Sequence, residues 1–230
     1  MTSTGTARFV ATPTHLRRIV TGRARTFTGY YPSGKPGNDH RLVGYQSLLE
    51  RDFIHLVEDD RSVVSYQEQE APVTWKDADG RHLYRPDFGL LTDTGRRVCI
   101  EVKPLDVMRR RGLAEVFALV GEFAVASGRF DDFQVWTDRE IRSGTRLRNA
   151  VLRNGERMAV GFESEKLAVR QALHEADGVA SVADLRRASG LGSRGFRAVL
   201  GLLAEGSCSL RDPACLIEDR SVVVWRSSWE

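Results

Sequence analysis

Apolar and polar positions fall into two textures along the chain. Between residues 45 and 58, Leu48, Leu49, Phe53, Leu56 and Val57 recur at helical spacing and predict an amphipathic helix. Short β-rich runs follow at 63–66, 73–75, 88–91 and 98–102. Thr92-Asp93-Thr94-Gly95 has turn chemistry, so the last two runs predict a hairpin. One helix is expected over 105–126, with Val116, Leu119, Val120 and Phe123 on one face and Gly128 as its stop. The run 133–137 has the look of a buried strand. Strand, helix, strand in that order implies a parallel crossover, and hence an α/β fold with a mixed sheet flanked by helices.

Beyond Gly161 the pattern changes. A helix over 166–176 buries Val169, Ala172, Leu173 and Ala176, and Ser181 suits the cap of a second helix over 182–188. Gly190 and Gly192 supply a tight turn, and Ser193 suits the cap of a third helix with Phe196, Val199, Leu200 and Leu203 inward. Two strands, 215–217 and 222–225, close the pattern, which is that of a small winged helix-turn-helix domain. Residues 1–43 have weak periodicity and are expected as an extended or irregular basic arm. The division is therefore 1–43 arm, 44–159 core domain and 160–230 winged-helix domain.

Composition adds exclusions. No run of about 18 uncharged apolar residues is present, so no membrane partner is expected. Residues 1–10 lack the apolar core of a signal peptide, and Cys99, Cys208 and Cys215 form neither a disulfide framework nor a zinc motif, so a cytoplasmic location is expected. Residues 1–44 hold seven Lys and Arg, Arg17, Arg18, Arg23 and Arg25 among them, against Asp39 alone. Residues 139–157 hold six Arg, including Arg146 and Arg148, against Glu140 and Glu156. Such blocks suit phosphate backbones, although solvated faces carry the same charge pattern.

The candidate chemistry lies in Arg85-Pro86-Asp87-Phe88 and Ile100-Glu101-Val102-Lys103. A turn near 92–95 sets Asp87 opposite Ile100 or Glu101, and directly opposed side chains have Cβ atoms about 4.5–5.5 Å apart. Glu101 and Lys103 then share one face. Two adjacent carboxylates repel, and a hard divalent cation relieves the repulsion. A surface salt bridge is the competing explanation. Of 34 Lys and Arg only Lys35, Lys76, Lys103 and Lys166 are lysines, so a lysine two residues beyond a strand glutamate stands out. An ammonium there could orient or help deprotonate a water, or stabilise developing negative charge.

Pro86-Asp87 with Glu101-Val102-Lys103 resembles the PD-(D/E)xK nuclease signature. Together with Tyr45-Gln46-Ser47-Leu48-Leu49-Glu50, Val64-Ser65-Tyr66-Gln67-Glu68-Gln69, Tyr84-Arg85 and Val135-Trp136-Thr137-Asp138, it resembles the N-terminal domain of TnsA, over about residues 41–155. The resemblance implies a restriction-endonuclease-like core, a winged-helix C-terminal domain and a Mg²⁺-dependent endonuclease, with Mn²⁺ able to substitute, that cuts double-stranded DNA at the 5′ ends of a transposon. It implies Glu50, Asp87 and Glu101 as metal ligands, Lys103 as the catalytic lysine and a supporting role for Gln69. It also implies a transposase subunit and an ATPase regulator as partners. Gln46 departs from the glutamate of many relatives. Ser47 and Glu50 also fit a helix capping box, and Gln67 and Gln69 fit a solvent face. Arg194 and Arg197 open the third C-terminal helix and would face a DNA groove if that domain reads DNA; in the resembled family it serves partner proteins. A stand-alone defence or repair nuclease and a non-catalytic winged-helix regulator are the alternative functions.

Overall fold

The computed structural model describes residues 27–77, 80–157, 159 and 161–226, in two compact units that divide between Ser143 and Gly144. Arg17, Arg18, Arg23 and Arg25 lie outside the described residues.

In the first unit, β3 (Val63–Glu68), β6 (Phe88–Thr92), β7 (Arg97–Val102) and β8 (Asp132–Trp136) form one sheet in the order β3-β6-β7-β8. The first two pairings are antiparallel and β7–β8 is parallel, which makes the sheet mixed. Strand β7 is buried from Val98 to Val102, as expected of a strand covered on both faces. Helix α1 (Leu48–Asp59) covers one face, where Phe53 meets Phe88 and Trp136 with ring centroids 5.4 and 5.5 Å apart. On the other face Val120 and Ala124 of α3 (Leu113–Ala126) pack with Val73, Cys99 and Phe130.

Several sequence expectations are corrected. The helix expected over 105–126 is two helices, α2 (Leu105–Arg111) and α3, because Gly112 adopts φ 60°, a left-handed conformation that glycine takes without steric cost. Helix α3 buries Phe117, Val120 and Ala124, whereas Val116 and Leu119 are 44% and 39% exposed. The last turn of the supposed arm is ordered: β1 (Gly29–Pro32) pairs antiparallel with β2 (Leu42–Tyr45). Ser33, Gly34 and Tyr66 all donate to the buried Glu58 carboxylate, which ties this hairpin to α1 and β3. Strand β4 (Val73–Asp77) lies outside the central sheet, paired with β5 (Gly80–Tyr84), and Trp75 stacks between His82 and Phe123.

The second unit begins earlier than residue 160. Helix α5 (Arg146–Arg157) belongs to it, after the short α4 (Asp138–Ile141) that ends the first unit. Helix α5 packs along α8 (Ser193–Glu205), which also meets α6 (Glu163–Glu175) and α7 (Val182–Ala188). Asn149 is buried and fastens α5 to the 212–217 loop, its Nδ2 donating to the Cys215 carbonyl at 2.8 Å and its Oδ1 accepting from the Ile217 amide at 3.0 Å. Strands β9 (Val179–Ser181), β10 (Cys208–Leu210) and β11 (Val222–Trp225) form an antiparallel sheet in the order β10-β11-β9. The strand expected at 215–217 is instead part of this loop, and the partner of β11 lies at Cys208–Leu210. No helix among the described residues is long and apolar enough to cross a membrane.

Candidate active site

The β6–β7 hairpin pairs Phe88 with Ile100, Gly89 with Cys99 and Leu90 with Val98. One step beyond the ladder, the same register brings Asp87 opposite Glu101. The Asp87 side chain extends the pairing there: Oδ2 accepts the Val102 amide at 2.9 Å, and the Asp87 carbonyl accepts the Gln69 amide at 2.7 Å. The carboxylate is thus fixed by the strand that carries Glu101 and its main chain by the end of β3.

Glu101 is 1% exposed, with the Lys103 ammonium and the Tyr84 phenol as its side-chain partners. Its compensation is ionic: Lys103 Nζ lies 2.7 Å from Oε1. Burial pulls the Lys103 ammonium down, but Glu101, Asp87 and Glu50 outweigh it and hold the group above its ordinary value. Lys103 is therefore a cation in this arrangement, suited to stabilising negative charge rather than to taking a proton. Burial drives the Asp87 carboxyl well above the ordinary carboxylate range, with Glu101 and then Glu50 adding to the shift. The Tyr84 phenol is also pushed up, first by burial and then by the Glu101 and Asp87 anions. Cys99, on the same face of β7 as Glu101, is pushed up to about 12, chiefly by burial.

Glu50 lies in the first turn of α1. Ser47 is the N-cap of α1 and accepts the Glu50 amide at 3.1 Å, while Glu50 Oε1 accepts from the Ser47 hydroxyl at 3.0 Å and Oε2 from the Gln46 amide at 2.7 Å. Its carboxylate therefore serves as a cap. It also belongs electrostatically to the cluster: burial raises its pKa, Gln46, Ser47 and Lys103 counteract, and Glu101 adds to the rise. Capping and membership of the acidic cluster coexist in this side chain. Glu50 and Asp87 line one cavity of about 230 Å³ with Gln46, Glu68, Gln69 and Arg85.

Arg85 lies in the candidate motif, but sequence reasoning assigned it no role. Its Nη1 donates to the carbonyls of Gln69 and Glu70, both at 3.2 Å, bracing the chain where β3 ends. Gln69 has φ 49°, left-handed for a residue with a side chain, and its Oε1 is buried without a hydrogen-bond donor. An unpaired buried amide oxygen costs roughly 1–3 kcal/mol. The alternation Gln67-Glu68-Gln69-Glu70 gives no hint of either feature. Gln67 pairs with Glu70, and Glu68 is buried against Arg41 and the Gly44 amide.

The residues fit a hard divalent cation in charge and donor type. Three carboxylates share one electrostatic environment, and burial together with their mutual repulsion raises two of them. Among the described residues, no three His, Cys, Asp or Glu side chains by themselves form a group that could hold a metal ion. A cation bound here would complete its shell with water and phosphate oxygens, as Mg²⁺ commonly does.

Of the expected DNA-contacting arginines, Arg146 and Arg148 on α5 and Arg194 and Arg197 on α8 are all exposed. Arg194 pairs with the buried Glu165 carboxylate; Arg197 Nε lies 2.8 Å from Glu156, and its guanidinium sits 4.1 Å above the Phe162 ring. Both are engaged within their own unit. Helix α8, where a groove-reading helix would need an open face, buries every residue from Ala198 to Ala204.

Compared with known proteins, the chain matches no family model and no curated protein.

Proposed function

We propose that this chain is a divalent-metal-dependent DNA endonuclease of the TnsA-like kind, with the mixed sheet as a restriction-endonuclease-like core and the C-terminal unit as a winged helix-turn-helix. The observation that carries the proposal is the alignment of Asp87 and Glu101 at the open end of the β6–β7 hairpin, with the Lys103 ammonium 2.7 Å from Glu101. A structural salt bridge requires one acid and one base. Here Asp87 and Glu50, both part-buried, add two further acids, at an energetic cost that a cation would offset.

In the proposed chemistry Asp87 and Glu101 would hold the cation, with Glu50 contributing from the start of α1; a bound Mg²⁺ would supply an acidified water and charge neutralisation at the phosphoryl oxygens. Asp87 and Glu101 fix the site relative to the sheet, because one carboxylate is bonded to the backbone of the strand bearing the other. The Lys103 ammonium stabilises the negative charge that builds on phosphorus-bound oxygen as water adds and the sugar oxygen leaves. Arg146 and Arg148 would contact phosphate backbone, positioning DNA without reading its sequence.

The C-terminal unit is read as a docking module for a partner protein, in line with the transposase subunit and ATPase regulator that the resemblance implies. The engagement of Arg194 and Arg197 by Glu165 and Glu156 favours this over groove reading. A supercoiled-plasmid nicking assay with Mg²⁺ or Mn²⁺, with and without the proteins encoded beside this one, tests the function. Nicking that requires the divalent ion and is lost in Lys103→Ala supports it. Equal nicking by the variant contradicts it.

A further inference from the structure

We infer that Gln69 supplies an amide oxygen ligand to the divalent ion of this site, an inference that rests on the nuclease proposal. Four observations converge on the residue. Its backbone amide is bonded to the Asp87 carbonyl at 2.7 Å, so it is tied directly to the residue carrying a proposed ligand. It lines the cavity that Glu50 and Asp87 also line. Its Oε1 is buried with no donor, although most buried side-chain oxygens are satisfied. Its main chain is held in the left-handed region, φ 49°, where side-chain-bearing residues are uncommon.

The strain has a visible support. Arg85 grips the carbonyls of Gln69 and Glu70 on either side of the bend. Backbone strain and an unpaired oxygen at one residue, braced by a neighbour and set among acids, indicate a side chain held ready for a ligand. A carboxamide oxygen is a neutral hard donor, suited to Mg²⁺ or Mn²⁺. Being neutral, it adds coordination without adding to the repulsion that already raises Asp87 and Glu50. That distinguishes Gln69 from the neighbouring Glu68 and Glu70, whose carboxylates are spent on Arg41 and the Gly44 amide, and on Gln67 and the Ala71 amide.

The test is Mn²⁺ binding by the full chain without DNA, followed by electron paramagnetic resonance, in the wild type, Gln69→Ala, Gln69→Glu and Asp87→Asn. Gln69→Ala is expected to weaken Mn²⁺ binding about tenfold, and Gln69→Glu to retain it by substituting a carboxylate oxygen. Circular dichroism on each variant reports whether the fold survives; Gln69→Gly, which removes the side chain while easing the left-handed backbone, replaces Gln69→Ala if it does not. Unchanged affinity in the folded Ala or Gly variant, with Asp87→Asn weakened, overturns the Gln69 assignment alone. No loss in Asp87→Asn overturns the metal site itself. Weakened affinity in Gln69→Ala and Gln69→Glu alike also overturns the assignment, since a retained oxygen donor then fails to support binding.

Discussion

The Val102 amide donates to Asp87 Oδ2 at 2.9 Å, so one acid of the site is hydrogen-bonded to the strand that carries the other. Asp87 and Lys103 each lie one residue beyond a strand end, so the pairing of β6 with β7 sets their spacing from Glu101. Asp87→Asn retains an acceptor for Val102 while removing the charge. It is expected to preserve the fold and to lower cleavage by at least about 100-fold. Steady-state nicking alongside a thermal melt checks this; wild-type cleavage in the folded variant contradicts it.

The raised Asp87 and Glu50 carboxyls give a pH dependence of defined sign. Their folded-state pKa values lie above the unfolded ones, so the folded state binds more protons in the window between the two. Without metal, stability is expected to fall as pH rises from the ordinary carboxylate range, near 4, through the raised values. Asp87→Asn should flatten this slope, and added Mn²⁺ should reverse it. Melting temperatures across pH, with chelator and with Mn²⁺, supply the measurement; a slope unaffected by Asp87→Asn goes against the assignment.

The C-terminal arginines should behave as structural residues. Arg197→Ala removes the pair with Glu156 and the stacking on Phe162 and is expected to lower stability only slightly. Arg194→Ala leaves the buried Glu165 carboxylate without its cation and should cost more, about 1–3 kcal/mol. Neither should change the salt dependence of DNA binding, whereas Arg148→Ala should lower the slope by about one counterion. Urea melts and salt-titrated binding separate the two classes; a reduced slope in Arg197→Ala would show that α8 does meet DNA.

The unit boundary also makes an expectation. A chain ending at Ser143 should keep its Mn²⁺ affinity, and a chain starting at Gly144 should fold. A C-terminal fragment starting at residue 160 loses the α5 contact with α8 and with the 212–217 loop, and should melt lower. Calorimetry on the three fragments decides it; equal melting of the two C-terminal fragments would restore the later boundary.

Much of this architecture was readable from local chemistry. The turn at 92–95 was enough to set Asp87 opposite Ile100 or Glu101, and the ladder fixes it on Glu101. The crossover between β7 and β8 followed from strand, helix, strand. What escaped depends on packing that periodicity does not encode. Helix α5 joins the second unit through buried Asn149 and Asn154 as well as Ala150, so its buried face does not read as apolar. Gly112 interrupts an apolar run whose spacing continues across it. Ser47 and Glu50 already fit a capping box in the sequence, and Ser47 does cap α1 with Glu50 in its first turn. The strain at Gln69 and the brace from Arg85 arise from the end of β3 meeting the segment before β6, contacts between residues 15 and 16 positions apart.

Anomalous scattering from a crystal of this chain soaked in Mn²⁺ bears most directly on the proposed metal site. A peak within coordination distance of the Asp87 and Glu101 carboxylates, absent in Asp87→Asn, is the expected result. A fully soaked crystal with no peak between them, and with Lys103 still seated on Glu101, would contradict it.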